Sequence, residues 1–338
     1  MNISSYNIPT SEHPGIIAAR VTAVHRDRFE IMTEYGPAFA QMKRGLQFEE
    51  MPTVGDLIEI EYNPDGDSMA VAILPRRTLF ARFDSWKGDR QLVAANVDFA
   101  CITTSLNADF NIRRLERYLA LARESGAEPV FLLTKRDLVD DLTVDAVVAQ
   151  VYGLAPDCRV LVLSARTGFG MDKLETLLTP GSIAVLLGSS GVGKSSLVNT
   201  LMGGEVMDTG EIRDDDMGRH TTVHRQMLEL RCGALLIDTP GMRELAMWDA
   251  VDGVADVFAE VEAAAQMCRF RDCTHTHEPG FAVIAGLNSG ELDPGRVRNY
   301  LQLHSEADKT AMLAEKFRRS KEIAKHHRAM KKEGKIRY

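Results

Sequence analysis

The chain has 338 residues and no apolar run of about 20, the length a membrane-spanning helix requires. Its opening stretch, MNISSYNIPTSEHPG, lacks the basic-then-apolar pattern of a secretory signal. A cytoplasmic address with no membrane partner is therefore expected. Cysteine is scarce. Five occur in the whole chain, an odd number for a protein this large, which argues against a disulfide framework. Cys101, Cys158 and Cys232 lie in or beside apolar runs and read as plain core residues. There is no internal repeat and no low-complexity tract.

What is present is ordinary soluble globular composition, 45% hydrophobic and 26% charged. The length suggests about two or three domains of roughly 100–200 residues. The net charge is −8 but unevenly spread. Lys316 to Tyr338 hold ten Lys/Arg against two Glu, a net of +8, so the remainder carries −16. The global charge disfavours nucleic acid; the basic tail favours it locally.

From about Gly15 to Leu74, RVTAVHRDRFEIMT, GPAFAQMKR, DLIEIEYN and MAVAILPR alternate apolar and polar residues between Gly, Pro and Asp punctuation. Short strands at this spacing predict a small OB-fold barrel; a meander serving as a lid is the alternative. From Leu92 the texture changes. VDFACITTSL, PVFLLTKRDL, CRVLVLSARTG, SIAVLLGSS and LRCGALLIDTPG read as apolar strands. NIRRLERYLALARESG, VDAVVAQVYG and MDKLETLL read as the helices between them. This alternation predicts an α/β domain with a parallel sheet covered on both faces. Past Trp248 the chain reads as helical. The predicted division is 1–78 for the barrel, 79–248 for the α/β domain and 249–338 for a helical C-terminal domain with its basic tail.

GSSGVGKS, from Gly188 to Ser195, matches the phosphate-loop pattern in full, with an apolar strand before it and an apolar-periodic helix after it. Gly188, Gly191 and Gly193 permit tight turns that aim backbone N–H groups at phosphate oxygens. The helix N-terminus adds favourable partial charge. Ser189, Ser190, Val192 and Ser196 belong to the same predicted cradle. Lys194 is expected to reach the β- and γ-phosphates and Ser195 to ligate Mg²⁺. In DTPG, Asp238 is placed to hold Mg²⁺ directly or through water, and the Gly241 amide to sense the γ-phosphate. In GRHTT, Thr221 or Thr222 is the candidate to close on the metal and γ-phosphate. A solvated loop is the bland reading of that stretch.

Guanine offers two donors, N1–H and its 2-amino group, and one carboxylate can accept both. The usual carrier, N-K-x-D after an apolar strand, appears here as Thr134, Lys135, Arg136 and Asp137, with threonine in the asparagine place. Ser164-Ala165 in LVLSARTG supply a typical backbone contact to the guanine carbonyl. These base-reading pieces precede the phosphate loop, whereas the usual order is phosphate loop, switches, base reader. The domain is thus expected to be circularly permuted, which surface-lying, neighbouring termini make tolerable. A kinase using ATP on the same loop is disfavoured by Asp137.

In this order, ANVDFACITTSL, TKRDL, GSSGVGKSSLVN, GRHTT, DTPGMREL and CRFRDCTHTHEPG resemble the RsgA (YjeQ/EngC) family of ribosome small-subunit-dependent GTPases over almost the whole chain. The resemblance implies an OB-fold, a permuted P-loop GTPase domain and a C-terminal zinc domain. It also implies a role in late maturation of the small ribosomal subunit; GTP and Mg²⁺ are the expected cofactors, and a monomer is expected. Hydrolysis of GTP to GDP would be stimulated by that subunit. The alternative is a GTP-dependent ribosome- or RNA-binding module with little hydrolysis of its own. Met242 stands where a water-orienting glutamine often follows DTPG, and a thioether cannot activate water. The resemblance points instead to His220, which either orients water or only packs or contacts RNA. Cys268, Cys273 and His275 have the spacing of the family's zinc site, but Phe281 replaces its fourth ligand. His277 in that place, a completing water, or loss of the metal remain open. The basic tail implies an rRNA contact, with a solvated tail or an anionic membrane surface as alternatives. Phe29, Tyr35, Phe39 and Phe48 are available for stacking on RNA, though such alternating aromatics are more often core.

Overall fold

The computed structural model describes residues 3–26, 28–46, 50–84, 89–107, 110–207, 226–238, 251–268 and 282–332. Two units result. The first comprises residues 1–80 and 92–244, the second residues 81–91 and 245–338.

The first unit begins with β1 (Ile16–Val24), β2 (Phe29–Thr33), β3 (Gly36–Met42), β4 (Leu57–Glu61) and β5 (Ser68–Ile73). They follow the order β1-β2-β3-β5-β4, and β4 returns to pair with β1, so the barrel closes. Alternation decides which side chains fill it. In β4, Ile58 and Ile60 are buried while Leu57, Glu59 and Glu61 are only half-buried. Val21, Ile31, Ala40 and Ala70 complete that core. The stretch RVTAVHRDRFEIMT is not one strand. It breaks at His25, whose N–H donates to Arg28 O at 2.9 Å, giving the β1–β2 hairpin. A two-stranded sheet of β6 (Leu79–Asp84) and β7 (Asp89–Ala95), unforeseen from the sequence, follows the barrel in chain order, with residues 81–91 belonging to the second unit.

The α/β part contains β8 (Phe99–Ser105), α1 (Ile112–Ser125), β9 (Glu128–Thr134), α2 (Asp141–Leu154), β10 (Arg159–Val162) and α3 (Met171–Leu177). It continues with β11 (Ile183–Leu187), α4 (Lys194–Met202), β12 (Gln226–Glu229) and β13 (Leu235–Asp238). The sheet order is β10-β9-β8-β11-β13-β12, and the first five strands are parallel. Successive residues Val130 to Leu133 of β9 are all fully buried, which requires cover on both sheet faces. Met171 and Leu174 of α3 and Leu197, Val198 and Leu201 of α4 pack in one cluster with Val130 and Leu132.

The parallel-sheet expectation needs one correction. β12 is antiparallel to β13. The stretch LRCGALLID is a turn followed by a strand, because Gly233 takes a φ of +80° and Leu230 N–H closes on Ala234 O at 2.8 Å. So short a turn permits only antiparallel pairing. β12 also meets β1 at Ala23↔Gln226, so barrel and sheet share one hydrogen-bonded ribbon. A polar knot reinforces that junction. The buried Arg20 guanidinium donates to Tyr6 O (2.5 Å), Gly55 O (2.9 Å) and Asn7 O (3.3 Å), and Asn96 Nδ2 donates to the same Gly55 O at 3.0 Å.

In the second unit, α5 (Val251–Val257), α6 (Ala259–Gln266), α7 (Ala282–Ser289) and α8 (Pro294–Lys332) agree with the helical reading. Phe258 is buried, with the Tyr300 ring at 5.9 Å edge-on and the Arg296 guanidinium 4.9 Å over its face. Helix α8 runs 39 residues, carrying the basic tail as far as Lys332. Cys101 and Cys158 are buried and Cys232 is half-buried, all with free thiols. Burial pushes Cys101 up to about 12 and, together with nearby Asp157, Cys158 up to about 11, as inert core thiols require. Among the described residues no helix is long and apolar enough to cross a membrane.

Candidate guanine-nucleotide site

The sheet order reverses direction between β8 and β11. From β8 the chain winds outward through β9 to β10; from β11 it winds the other way to β13. Ligands of open α/β sheets settle in the crevice at the carboxyl ends of the strands flanking such a reversal. The phosphate loop leaves the carboxyl end of β11, in register with Ile102 of β8 through Leu187.

The loop is fixed by close approach. A Cβ at Gly188 would lie 2.3 Å from Thr103 O, and its φ of +149° suits glycine alone. Val192 is buried, while Ser190 and Gly191 are exposed. Gly193, at φ +97°, starts α4, so the first turn holds Lys194, Ser195 and Ser196 with their N–H groups toward the loop. Lys194 Nζ donates to Gly188 O at 2.6 Å and Ser189 O at 2.5 Å, so its ammonium lies across the loop it is expected to serve.

The segment expected to read the base meets this loop directly. Thr134, the last residue of β9, holds its hydroxyl 2.6 Å from Val192 O, to which it donates; Thr104 O lies 3.1 Å away as a second acceptor. The threonine in the asparagine place thus ties the strand to the phosphate loop. Lys135 then takes a left-handed conformation, φ +60° and ψ +38°, which turns the chain into a 3-10 turn at Arg136–Leu138. Arg136 is held by its N–H to Leu163 O (3.1 Å) and its guanidinium to Val139 O (2.7 Å).

Ser164 and Asp137 come together across the gap between β9 and β10. Ser164 is fully buried and its hydroxyl donates to Asp137 Oδ1 at 2.6 Å. Arg166 Nη1 stands 3.8 Å from Oδ2. The Ser164 bond first, then a backbone hydrogen bond, Arg166 and Lys135, hold the Asp137 carboxyl below its ordinary 3.8. The group is an anion at neutral pH, as acceptance of two N–H donors demands. Ala165 is half-buried in a turn closed by Ser164 N–H to Phe169 O (2.9 Å) and Gly168 N–H to Ser164 O (2.9 Å).

Other expected site residues stand differently. Asp238 ends β13, paired in register with Gln226. His220, Thr221, Thr222, Gly241, Met242, Cys273, His275, His277 and Phe281 lie outside the described residues. Cys268 is half-buried just past α6, with its thiol 3.8 Å from Ala264 O. No cluster of metal-binding side chains occurs among the described residues. The sequence reading missed Arg114, in the first turn of α1, whose Nη1 donates to Ser189 Oγ at 2.8 Å. No local motif marks it; the contact spans 75 positions and depends on β8 lying beside β11.

A parallel sheet with a phosphate loop at its reversal point, and the strand leading to Thr134–Asp137 placed before that loop, defines a circularly permuted GTPase fold. Solved structures share it. YjeQ from Thermotoga maritima matches with a TM-score of 0.62 at 24% identity, over 86% of this chain and 98% of its own. YloQ, described as a circularly permuted GTPase, matches at 0.60 and 20%, over 89% and 98%. The RsgA GTPase family model matches residues 73–248, and a model described as 50S ribosome-binding GTPase matches residues 183–333. Relatives called small ribosomal subunit biogenesis GTPase RsgA extend over most of the chain. RsgA 2 of Listeria monocytogenes is 45% identical over 85% of this chain and 82% of its own. RsgA of Methanosarcina acetivorans is 41% identical over 93% and 87%. The chain belongs to the RsgA GTPase family, whose members are GTP hydrolases.

Proposed function

We propose that this protein binds GTP at the β8–β11 crevice, docks on the small ribosomal subunit late in its maturation, and leaves after hydrolysing GTP to GDP and phosphate. The observation that carries the reading is the hydrogen bond from Thr134 to Val192 O, which couples a guanine reader to a phosphate loop in permuted order. The name shared by the relatives, small ribosomal subunit biogenesis GTPase, supports the choice of partner.

In this reading Asp137 accepts N1–H and the 2-amino group of guanine, and the Ser164-Ala165 turn meets its carbonyl. Lys194 leaves the loop carbonyls for the β- and γ-phosphates. Ser195 and Asp238 would hold Mg²⁺, which would supply charge neutralisation at the phosphate oxygens. Thr221 or Thr222 and the Gly241 amide close on the γ-phosphate, and His220 orients the attacking water. With Met242 in the glutamine place, hydrolysis is slow until the subunit binds.

Docking uses cations of the basic tail on α8, an rRNA backbone contact whose strength falls with salt. Cys268, Cys273 and His275 form a zinc-suited donor set in the C-terminal domain, with His277 as the remaining nitrogen donor nearby in sequence. Steady-state hydrolysis with and without purified small subunits tests the proposal. Stimulation by the small and not the large subunit is expected; equal rates under all conditions would refute it.

A further inference from the structure

Helix N-termini favour acidic residues, because the first N–H groups carry partial positive charge. The first turn of α1 has none and begins Ile112-Arg113-Arg114 instead. Arg113 is accounted for by Glu116, whose carboxylate lies 3.3 Å away and is itself buried. Arg114 is not. Its backbone N–H is fixed by the N-cap, Asn111 Oδ1, at 3.2 Å, and its side chain leaves the helix to meet the phosphate loop at Ser189 Oγ. Among the described residues it makes no ion pair. A neutral hydroxyl is a weak partner for a guanidinium built to grip two anionic oxygens.

The position matters more than the bond. Arg114 stands on the β8 side of the crevice, on the segment following that strand, and the phosphate loop stands on the β11 side. Lys194 Nζ lies 2.5 Å from Ser189 O, so two cations converge on one residue of the loop. The γ-phosphate of GTP is the anion that can draw both; GDP lacks that group.

We propose that Arg114 is a further catalytic residue: it exchanges Ser189 for the γ-phosphate when GTP binds, and stabilises the charge that develops there during hydrolysis. An arginine supplied from within the same chain would do part of what a partner's arginine does elsewhere. This inference rests on the nucleotide reading above. Ser189 acts in it as the holder that keeps the guanidinium beside the loop until the γ-phosphate arrives.

The test compares full-length wild type with Arg114→Ala, Arg114→Lys and Ser189→Ala. It measures affinity for GDP and for a non-hydrolysable GTP analogue, and single-turnover GTP hydrolysis. Arg114→Ala should bind GDP within about two-fold of wild type, lose about ten-fold for the analogue, and hydrolyse about 10- to 100-fold more slowly. Arg114→Lys should recover most of the analogue affinity but little of the rate, since a point charge lacks the planar fork. Ser189→Ala should release Arg114 and raise analogue affinity. If Arg114→Ala lowers both affinities equally or neither, or if Ser189→Ala reproduces its defects, Arg114 is a strut for the loop and the proposal falls. Failure of wild type to bind GDP would instead remove the nucleotide reading itself.

Discussion

The Thr134 hydroxyl donates to the carbonyl oxygen of Val192 over 2.6 Å, joining residues 58 positions apart. Through this bond the end of β9 fixes both the phosphate loop and, three residues on, Asp137. Thr134→Val keeps the shape and removes the donor. It leaves a buried carbonyl without its partner, at a cost of about 1–3 kcal/mol. Denaturant unfolding should show that loss, together with weaker GDP binding. Unchanged stability and affinity would mean that the two segments are positioned independently.

Ser164 sets the ionisation of Asp137. Removing its hydroxyl in Ser164→Ala should raise the Asp137 pKa back toward 3.8, followed by NMR titration of the carboxyl carbon. The sign for stability follows from the depressed native value. The contribution of this carboxylate is fully present above the unfolded value and is lost as pH falls through the lower folded one. Ser164→Ala should therefore lose stability relative to wild type at neutral pH, with the gap closing in acid. An unmoved Asp137 titration would assign the depression to the backbone hydrogen bond, Arg166 and Lys135 instead.

Arg20 joins the N-terminal segment to the barrel through three backbone carbonyls. Burial first, then the nearby Arg77, push its pKa down to about 10, so it is charged at neutral pH. Arg20→Leu strands those acceptors, and a loss of about 3 kcal/mol or more is expected in thermal or urea unfolding. A change under about 0.5 kcal/mol, the scale of ordinary surface substitutions, would contradict this role.

Much of the site was legible because its signals are local. Gly188 to Ser195 announce a phosphate loop by spacing alone, and apolar runs marked the strands whose carboxyl ends carry Thr134 and Ser164. The rest depends on contacts that sequence does not order. Nothing in RQMLEL shows that β12 pairs antiparallel with β13 and also touches β1. Nothing in NIRRLERYL shows that Arg114 leaves its helix for a loop 75 residues away. Thr134 was visible as a departure from asparagine, but its partner was not. The β6–β7 pair lacks the regular apolar alternation that marks the barrel strands.

The zinc reading stands on three sequence positions and is open to direct measurement. Protein purified without added zinc should carry close to one zinc per chain by elemental analysis, and Cys268→Ala or Cys273→Ala should lose it. His277→Ala should weaken retention if its imidazole fills the place that Phe281 cannot. Metal-free wild-type protein would show that this chain has abandoned the site.

Nucleotide hydrolysis by Asp137→Asn in the presence of small ribosomal subunits tests the whole account in one assay. An amide offers one acceptor and one donor, which mismatches guanine and matches xanthine, whose 2-oxo group accepts. With two charge-assisted hydrogen bonds disrupted, subunit-stimulated turnover of GTP at sub-saturating concentration should fall by about 100-fold or more, and xanthosine triphosphate should restore it. If the variant still prefers GTP, the base is read elsewhere and the site is not the one described; if xanthosine triphosphate is turned over without regard to the subunit, the site stands and the proposed partner falls.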